Sequence, residues 1–166
     1  MNIFYIFTYT INMKKENIVR YGNPLLYVAL VAILGSIFTN MGLEWLKTLN
    51  KPTMWLPIYV IPMVWTIIYS SFALYLIYLV KNNKLDKEYI YLLAFNGLLN
   101  VSWCLVFFSF QKILFGLIVI IINLLLSILS SIKIFNSNKK WYYYLLIYPT
   151  WLTIATCFNL AIWILN

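Results

Sequence analysis

Histidine is absent from all 166 residues, and only four residues are acidic. The first absence removes the commonest metal ligand, the usual general base and the side chain that titrates near neutrality. Cysteine is scarce as well. Cys104 and Cys157 both stand within apolar runs, where a thiol behaves as a small hydrophobe, so no disulfide framework is implied. Glycine-rich phosphate loops, nucleophile elbows and Cys/His metal spacings are missing. No Asp, Glu, Lys or Arg stands in the middle of an apolar run; Glu44 and Lys133 lie at run ends. Proton-coupled pumps and ion channels carry such groups, so a small multidrug exporter fits poorly and no metal site is expected.

What fills the chain instead is hydrocarbon. Hydrophobic residues make up 64% and charged residues 10%, and the mean hydropathy is +0.86, far outside a soluble composition. Five apolar runs, at roughly 22–43, 57–80, 89–110, 113–135 and 142–165, are each long enough at about 1.5 Å per residue to cross a hydrocarbon core of about 30 Å. Lipid offers no partner to free backbone groups, and none of the runs alternates with period two as a barrel strand must, so each is predicted to be a helix. Short connections at Asn82–Asp86, Gln111-Lys112 and Asn136–Lys140 force antiparallel neighbours. The fold class is therefore an all-α integral membrane bundle of five transmembrane helices, covering 21–166.

Residues 1–20 read as an extension outside the core. Their apolar part precedes Lys14 and Lys15, the reverse of a signal peptide, and Met13-Lys14-Lys15 would itself make a plausible start. A net charge of +8 would suggest nucleic acid in a soluble protein. Here the charges cluster between runs, so orientation and anionic lipid explain them and no nucleic-acid partner is expected. One side collects Lys14, Lys15, Arg20, Lys81, Lys84, Lys87, Lys133, Lys139 and Lys140; the other has only Lys47, Lys51 and Lys112. That bias places the amino terminus inside and the Pro/Trp connection and carboxyl terminus outside; the membrane is expected to be a bacterial cell membrane.

The stretch from Trp45 to Tyr69 holds the one sizeable connection. Pro52 and Pro57 keep it extended until a helix can begin near Pro57, while Lys47 and Lys51 stay at headgroups and Trp45 and Trp55 favour the interface. It reads either as an aromatic lid over one end of the bundle or as an ordinary membrane-surface loop. Three helix faces point toward a pocket. Pro62, Trp65, Tyr69, Phe72 and Leu76 recur at three- and four-residue steps, as do Asn96, Asn100, Trp103 and Phe107, and then Tyr148, Trp151, Ala155, Phe158 or Asn159, and Ile162. Buried amides are costly unless paired, so Asn96, Asn100, Asn123 and Asn159 are expected to face the interior, as interhelical glue or as ligand contacts. Trp65, Trp103 and Trp151 sit several residues inside their runs, away from an interfacial belt, where an indole N–H needs a partner or a ligand.

These residues, in this joint spacing, resemble the TspO/MBR family of tryptophan-rich sensory proteins, which includes the mitochondrial translocator protein. The marks are Trp45 with Asn50-Lys51-Pro52, then Pro57, Pro62, Trp65-Thr66 and Tyr69; Asn100, Trp103, Phe107 and Phe108; and Tyr148, Trp151, Ala155-Thr156, Asn159 and Trp163. The resemblance runs from about residue 30 onward and implies a five-helix bundle, often a homodimer, with a pocket beneath the first connection. It implies binding of tetrapyrroles such as protoporphyrin IX, and in some members of haem, cholesterol or drug-like molecules. In bacterial members, tryptophans on the second and fifth helices are tied to light-dependent porphyrin degradation; the matching positions are Trp65 and Trp151. The family's Trp-x-Pro-Pro is here Met54-Trp55-Leu56-Pro57, and its Pro-Tyr opening the fifth helix is Ile147-Tyr148. Leu160 stands where the mammalian cholesterol motif has tyrosine, so that motif is not supported.

The residues agree with a flat, acidic macrocycle: an aromatic slot of Trp65, Trp103, Tyr69 and Trp151 beneath the ammoniums of Lys47 and Lys51. Without histidine, tight ligation of haem iron is not expected, and a metal-free porphyrin suits the chain better. No cofactor is required. Three readings follow: a tetrapyrrole-binding sensor or carrier in the bilayer, which is favoured; an enzyme degrading porphyrin in light, without a conventional catalytic constellation; and a transporter of lipid, sterol or drug-like molecules.

Overall fold

The computed structural model describes the backbone from Ile3 onward except residues 53–56 and 58, and the side chains from Tyr21 onward with the same exceptions. The helices are α1 (Ile3–Met41), α2 (Leu43–Thr48), α3 (Val60–Lys81), α4 (Lys87–Cys104), α5 (Ile113–Ser137), α6 (Lys139–Leu145) and α7 (Ile147–Leu165), with a π-helical turn at Leu105–Ser109 continuing α4. Among the described residues there is no strand. Five stretches are long and apolar enough to span a membrane: Tyr21–Met41, Val60–Lys81, Lys87–Ser109, Ile113–Ser137 and Lys139–Leu165. The expected spans each lie within a few residues of these. Three details differ. The backbone of residues 3–20 continues α1 without a break, the connection after the first span contains α2, and the fifth span is two helices meeting at Leu146.

The spans close into a ring. α1 packs on α3 and α4, α5 packs on α4 and α7, and α3 closes against α6 and α7. Large apolar side chains such as Leu26, Met63, Phe115, Leu125 and Ile164 point outward, exposed, as residues facing lipid do. The ring's interior holds the amides. Asn96, Asn100, Asn123 and Asn159 are all buried, as the cost of leaving an amide in hydrocarbon requires. Each reaches another group: Asn96 donates to Leu92 O and Ser130 Oγ, Asn100 to Tyr69 Oη and Asn159 to Ile113 O, while Asn123 accepts from Tyr148 Oη.

The end rich in lysine is fixed by caps and one ion cluster. Asp86 accepts from Tyr89 N at the start of α4, and Asn138 accepts from Lys140 N and Trp141 N at the start of α6, so exposed N–H groups are satisfied locally. Lys133 of α5 pairs with Glu88, lies 3.8 Å from Asp86 and sits 4.5 Å above the ring of Tyr89. The turn between α3 and α4 uses Asn83 at φ 53°, a left-handed position that asparagine tolerates. The turn after the π-helical stretch uses Gln111 at φ 57°.

The candidate site: a tryptophan-lined cavity at the connection end

At the end that carries the α1–α3 connection, one side chain from each of three helices converges. Trp65 comes from α3, Trp103 from α4 and Trp151 from α7. With Leu46 of α2, Phe107 and Phe108 of the π-helical turn, and Ala155 and Phe158 of α7, they line a cavity of about 70 Å³. The spacing of the aromatic faces explains the convergence, since residues three and four apart share one side of a helix. The Trp65 and Trp151 rings meet edge to face, 6.5 Å apart at 85°. Trp103 stacks on Phe107 at 5.7 Å and 19°, and Trp45 of α2 closes over Phe107 at 5.5 Å and 68°.

The π-helical turn shapes this wall. Phe110 N donates to Leu105 O at 2.9 Å, five residues back, and Lys112 N to Val106 O at 3.0 Å. Widening the helix there brings both Phe107 and Phe108 to buried positions, and π-turns of this kind recur at functional sites. α2 reaches the wall because Gly42 lies directly against the backbone of Phe108, where any Cβ would collide.

The indole N–H groups differ. Trp103 Nε1 donates to Asn159 Oδ1 at 3.1 Å. Trp151 is only 7% exposed, yet its Nε1 has no partner. The cavity is thus apolar and aromatic, and one residue of its wall carries an unpartnered N–H, a chemistry suited to an aromatic ligand. Neither acid nor base lines it, and among the described residues no group of three or more metal-ligating side chains exists. Cys157 is exposed on the outside of α7, whereas Cys104 is buried; helical phase turns position 157 away from the face that carries Trp151 and Ala155.

The remaining predicted site residues divide. Tyr69, Asn96, Asn100 and Tyr148 line a second cavity, of about 40 Å³, with Tyr27 of α1 and Phe72 of α3. It lies deeper, toward the lysine-rich end. Trp65 stands between the two, stacked on Tyr69 at 5.4 Å and 22° and 6.5 Å from the Tyr148 ring. Pro62 and Pro57 are exposed, Pro52 is half-buried, and none of the three lines either cavity; the Pro62 carbonyl accepts from Thr66 Oγ1 and the Pro57 carbonyl from Val60 N. Lys47 pairs with Glu44 at 2.7 Å, and Lys51 Nζ donates to the carbonyls of Lys47 and Leu49. Both lysines sit at the rim, beside Leu46, but their ammoniums face local partners. Trp55 lies outside the described residues. Leu46, Ile61 and Tyr27 went unanticipated as lining residues, because none belongs to an aromatic or amide stripe in the sequence.

Comparison with known proteins agrees with this architecture. The model of the TspO/MBR family matches residues 24–164. A tryptophan-rich protein TspO of Archaeoglobus fulgidus is 29% identical over 152 residues, covering 90% of this chain and 99% of its own length. A tryptophan-rich protein TspO of Chlorobaculum tepidum is 29% identical over 141 residues, covering 82% of this chain and 89% of its own.

Proposed function

Since this chain belongs to the TspO/MBR family of multi-pass membrane proteins, we propose that it is a tetrapyrrole-binding protein of the bilayer, a sensor or carrier, whose ligand enters the cavity between Trp65, Trp103 and Trp151. One observation carries this reading: three tryptophans from three helices line one apolar cavity, and the buried Trp151 N–H has no partner in the protein. A slot of about 70 Å³ is smaller than the roughly 300 Å³ at which pockets for drug-sized ligands begin. A whole macrocycle requires the wall formed by Leu46 of α2 to move outward. The absence of ionisable groups from the cavity argues against ion-coupled transport as the primary activity.

The test is a titration of the purified full chain with protoporphyrin IX, followed by porphyrin absorption and by quenching of tryptophan emission. Saturable quenching that is lost in the Trp65→Ala, Trp151→Ala double variant supports the reading. Partitioning that does not saturate, equal in both proteins, overturns it. A second reading, light-driven porphyrin degradation, is favoured by the closeness of the Trp65 and Trp151 rings, since both indoles would flank a macrocycle edge.

A further inference from the structure

We propose that Asn50 and Asn166 form a clasp that governs entry to the tryptophan-lined cavity, by fastening α2 as a strap to the end of α7. The proposal builds on the reading of that cavity as a ligand site, whose wall at Leu46 must move for a macrocycle to enter.

The clasp is reciprocal. Asn50 N donates to Asn166 Oδ1 at 3.0 Å, and Asn166 Nδ2 donates in return to Asn50 O at 3.1 Å, so one side-chain amide takes both backbone groups of Asn50. The same Nδ2 also donates to Ile162 O at 2.8 Å, which fixes the amide on α7. Asn50 Nδ2 donates to Leu165 O at 3.3 Å, one of the last carbonyls of that helix, which lack a partner within it. Only an amide of this length serves all these groups. A carboxylate at position 166 would accept from Asn50 N but could not donate to the two carbonyls, and alanine would do neither.

Two anchors hold α2 over the cavity, and they differ in kind. At one end Gly42 follows α1 directly and lies against the backbone of Phe108. At the other, Asn50 and Asn166 are both exposed, so water can take over their bonds at small net cost. Nothing between the anchors is deep. α2 has no buried residue, and Trp45, Leu46 and Leu49, which pack against Phe107, Phe108 and Ile162, are only half-buried. Lys51 Nζ gathers the carbonyls of Lys47 and Leu49, so the stretch moves as a unit. Few buried contacts and exposed hydrogen bonds mark a segment that opens locally. The strap therefore pivots at Gly42 and releases at Asn50, and Leu46 leaves the cavity wall when the clasp parts.

The experiment uses the full chain in lipid nanodiscs, in a Cys157→Ser background that leaves only the buried Cys104. Opening is read first, without ligand, from the distance between spin labels on Lys47→Cys of α2 and Leu160→Cys, which is exposed on α7. One separation is expected with Asn166 in place and an added, longer one in Asn166→Ala; identical distributions overturn the clasp. Entry is read next with protoporphyrin IX. Asn50→Cys with Asn166→Cys should bind it at least about tenfold more slowly when oxidised to the disulfide than after reduction. Equal, measurable rates in the two states of this one protein overturn the control of entry without any question of folding, and failure of the disulfide to form places the two residues apart and overturns it as well. If the separation lengthens in Asn166→Ala while the unsubstituted protein binds no porphyrin saturably, the clasp stands and the tetrapyrrole reading falls.

Discussion

Trp103 and Trp151 line the same cavity with opposite obligations: the first, partly buried, gives its N–H to Asn159 Oδ1, and the second, buried, gives its N–H to nothing in the protein. Replacement by phenylalanine separates the two roles. Trp103→Phe strands the Asn159 oxygen in a buried place and is expected to destabilise the protein by about 1–3 kcal/mol. Trp151→Phe loses packing in the core but strands no acceptor, so its melting temperature in detergent should fall less than that of Trp103→Phe. Its porphyrin affinity should fall by up to about tenfold, the equivalent of one lost hydrogen bond of about 0.5–1.5 kcal/mol. Equal melting losses for the two would contradict the pairing described here.

Photochemistry sets a separate requirement. Trp65→Phe keeps most of the apolar area and loses the oxidisable indole, so binding should weaken modestly while light-dependent loss of porphyrin absorbance slows sharply. The same holds for Trp151→Phe. Unchanged photodegradation in the double phenylalanine variant would rule out the enzymatic reading.

The rim lysines should tune affinity and not create it. Lys47 is held by Glu44 in an exposed pair, and exposed pairs are worth about 0.2–1 kcal/mol. Lys47→Gln with Lys51→Gln should raise the dissociation constant of the free-acid porphyrin by no more than about tenfold. Glu44→Gln should do the opposite, freeing Lys47 and tightening the free acid but not its dimethyl ester. Both effects should fade as salt is raised. If the ester responds as strongly as the acid, the lysines act through the shape of the connection.

Gly97 tests the packing of α1 on α4. A Cβ there would run into the ring and hydroxyl of Tyr27 and into Val31, whereas Gly22 has nothing within 4 Å. Gly97→Ala must displace Tyr27 from its bond to Leu93 O and should cost about 1–3 kcal/mol, as overpacking does. Gly22→Ala should be neutral or slightly stabilising. Thermal melts of the two variants, side by side, provide the comparison.

Orientation is checked by labelling cells with a membrane-impermeant thiol reagent in a Cys157→Ser background, since Cys157 is exposed. Lys51→Cys should react from outside and Lys139→Cys should not, as the uneven spread of lysine and arginine requires. The reverse pattern would invert the topology.

How far the residues alone reach is clear from α4. Apolar run length and turn residues suffice to locate every span, and the cost of an unpaired amide suffices to turn Asn96, Asn100, Asn123 and Asn159 inward. Periodicity assigns a residue to a face but says nothing of depth along it. Asn100 and Trp103 stand three residues apart on one face, yet they line different cavities because the Trp65–Tyr69 stack of α3 closes between them. The helix α2 was also out of reach: six residues with no buried member carry too weak a pattern, and its seat depends on the contact of Gly42 with Phe108. Spacing puts Pro62 on the face of Trp65 and Tyr69, but the residue is exposed near the start of α3 and lines neither cavity.

The widened turn at Leu105–Ser109 can be thought of as one residue too many, accommodated without lengthening the span. Deleting a single residue there would let the segment relax to an ordinary α-helix, with the turns before and after the deletion still in phase. Hydropathy would be untouched and the protein would still insert. One of Phe107 and Phe108, both buried in the widened turn, would then be lost from the wall, while α5 kept its direction. The cavity wall is in this sense a matter of residue count, open to a deletion that no hydrophobicity profile would flag.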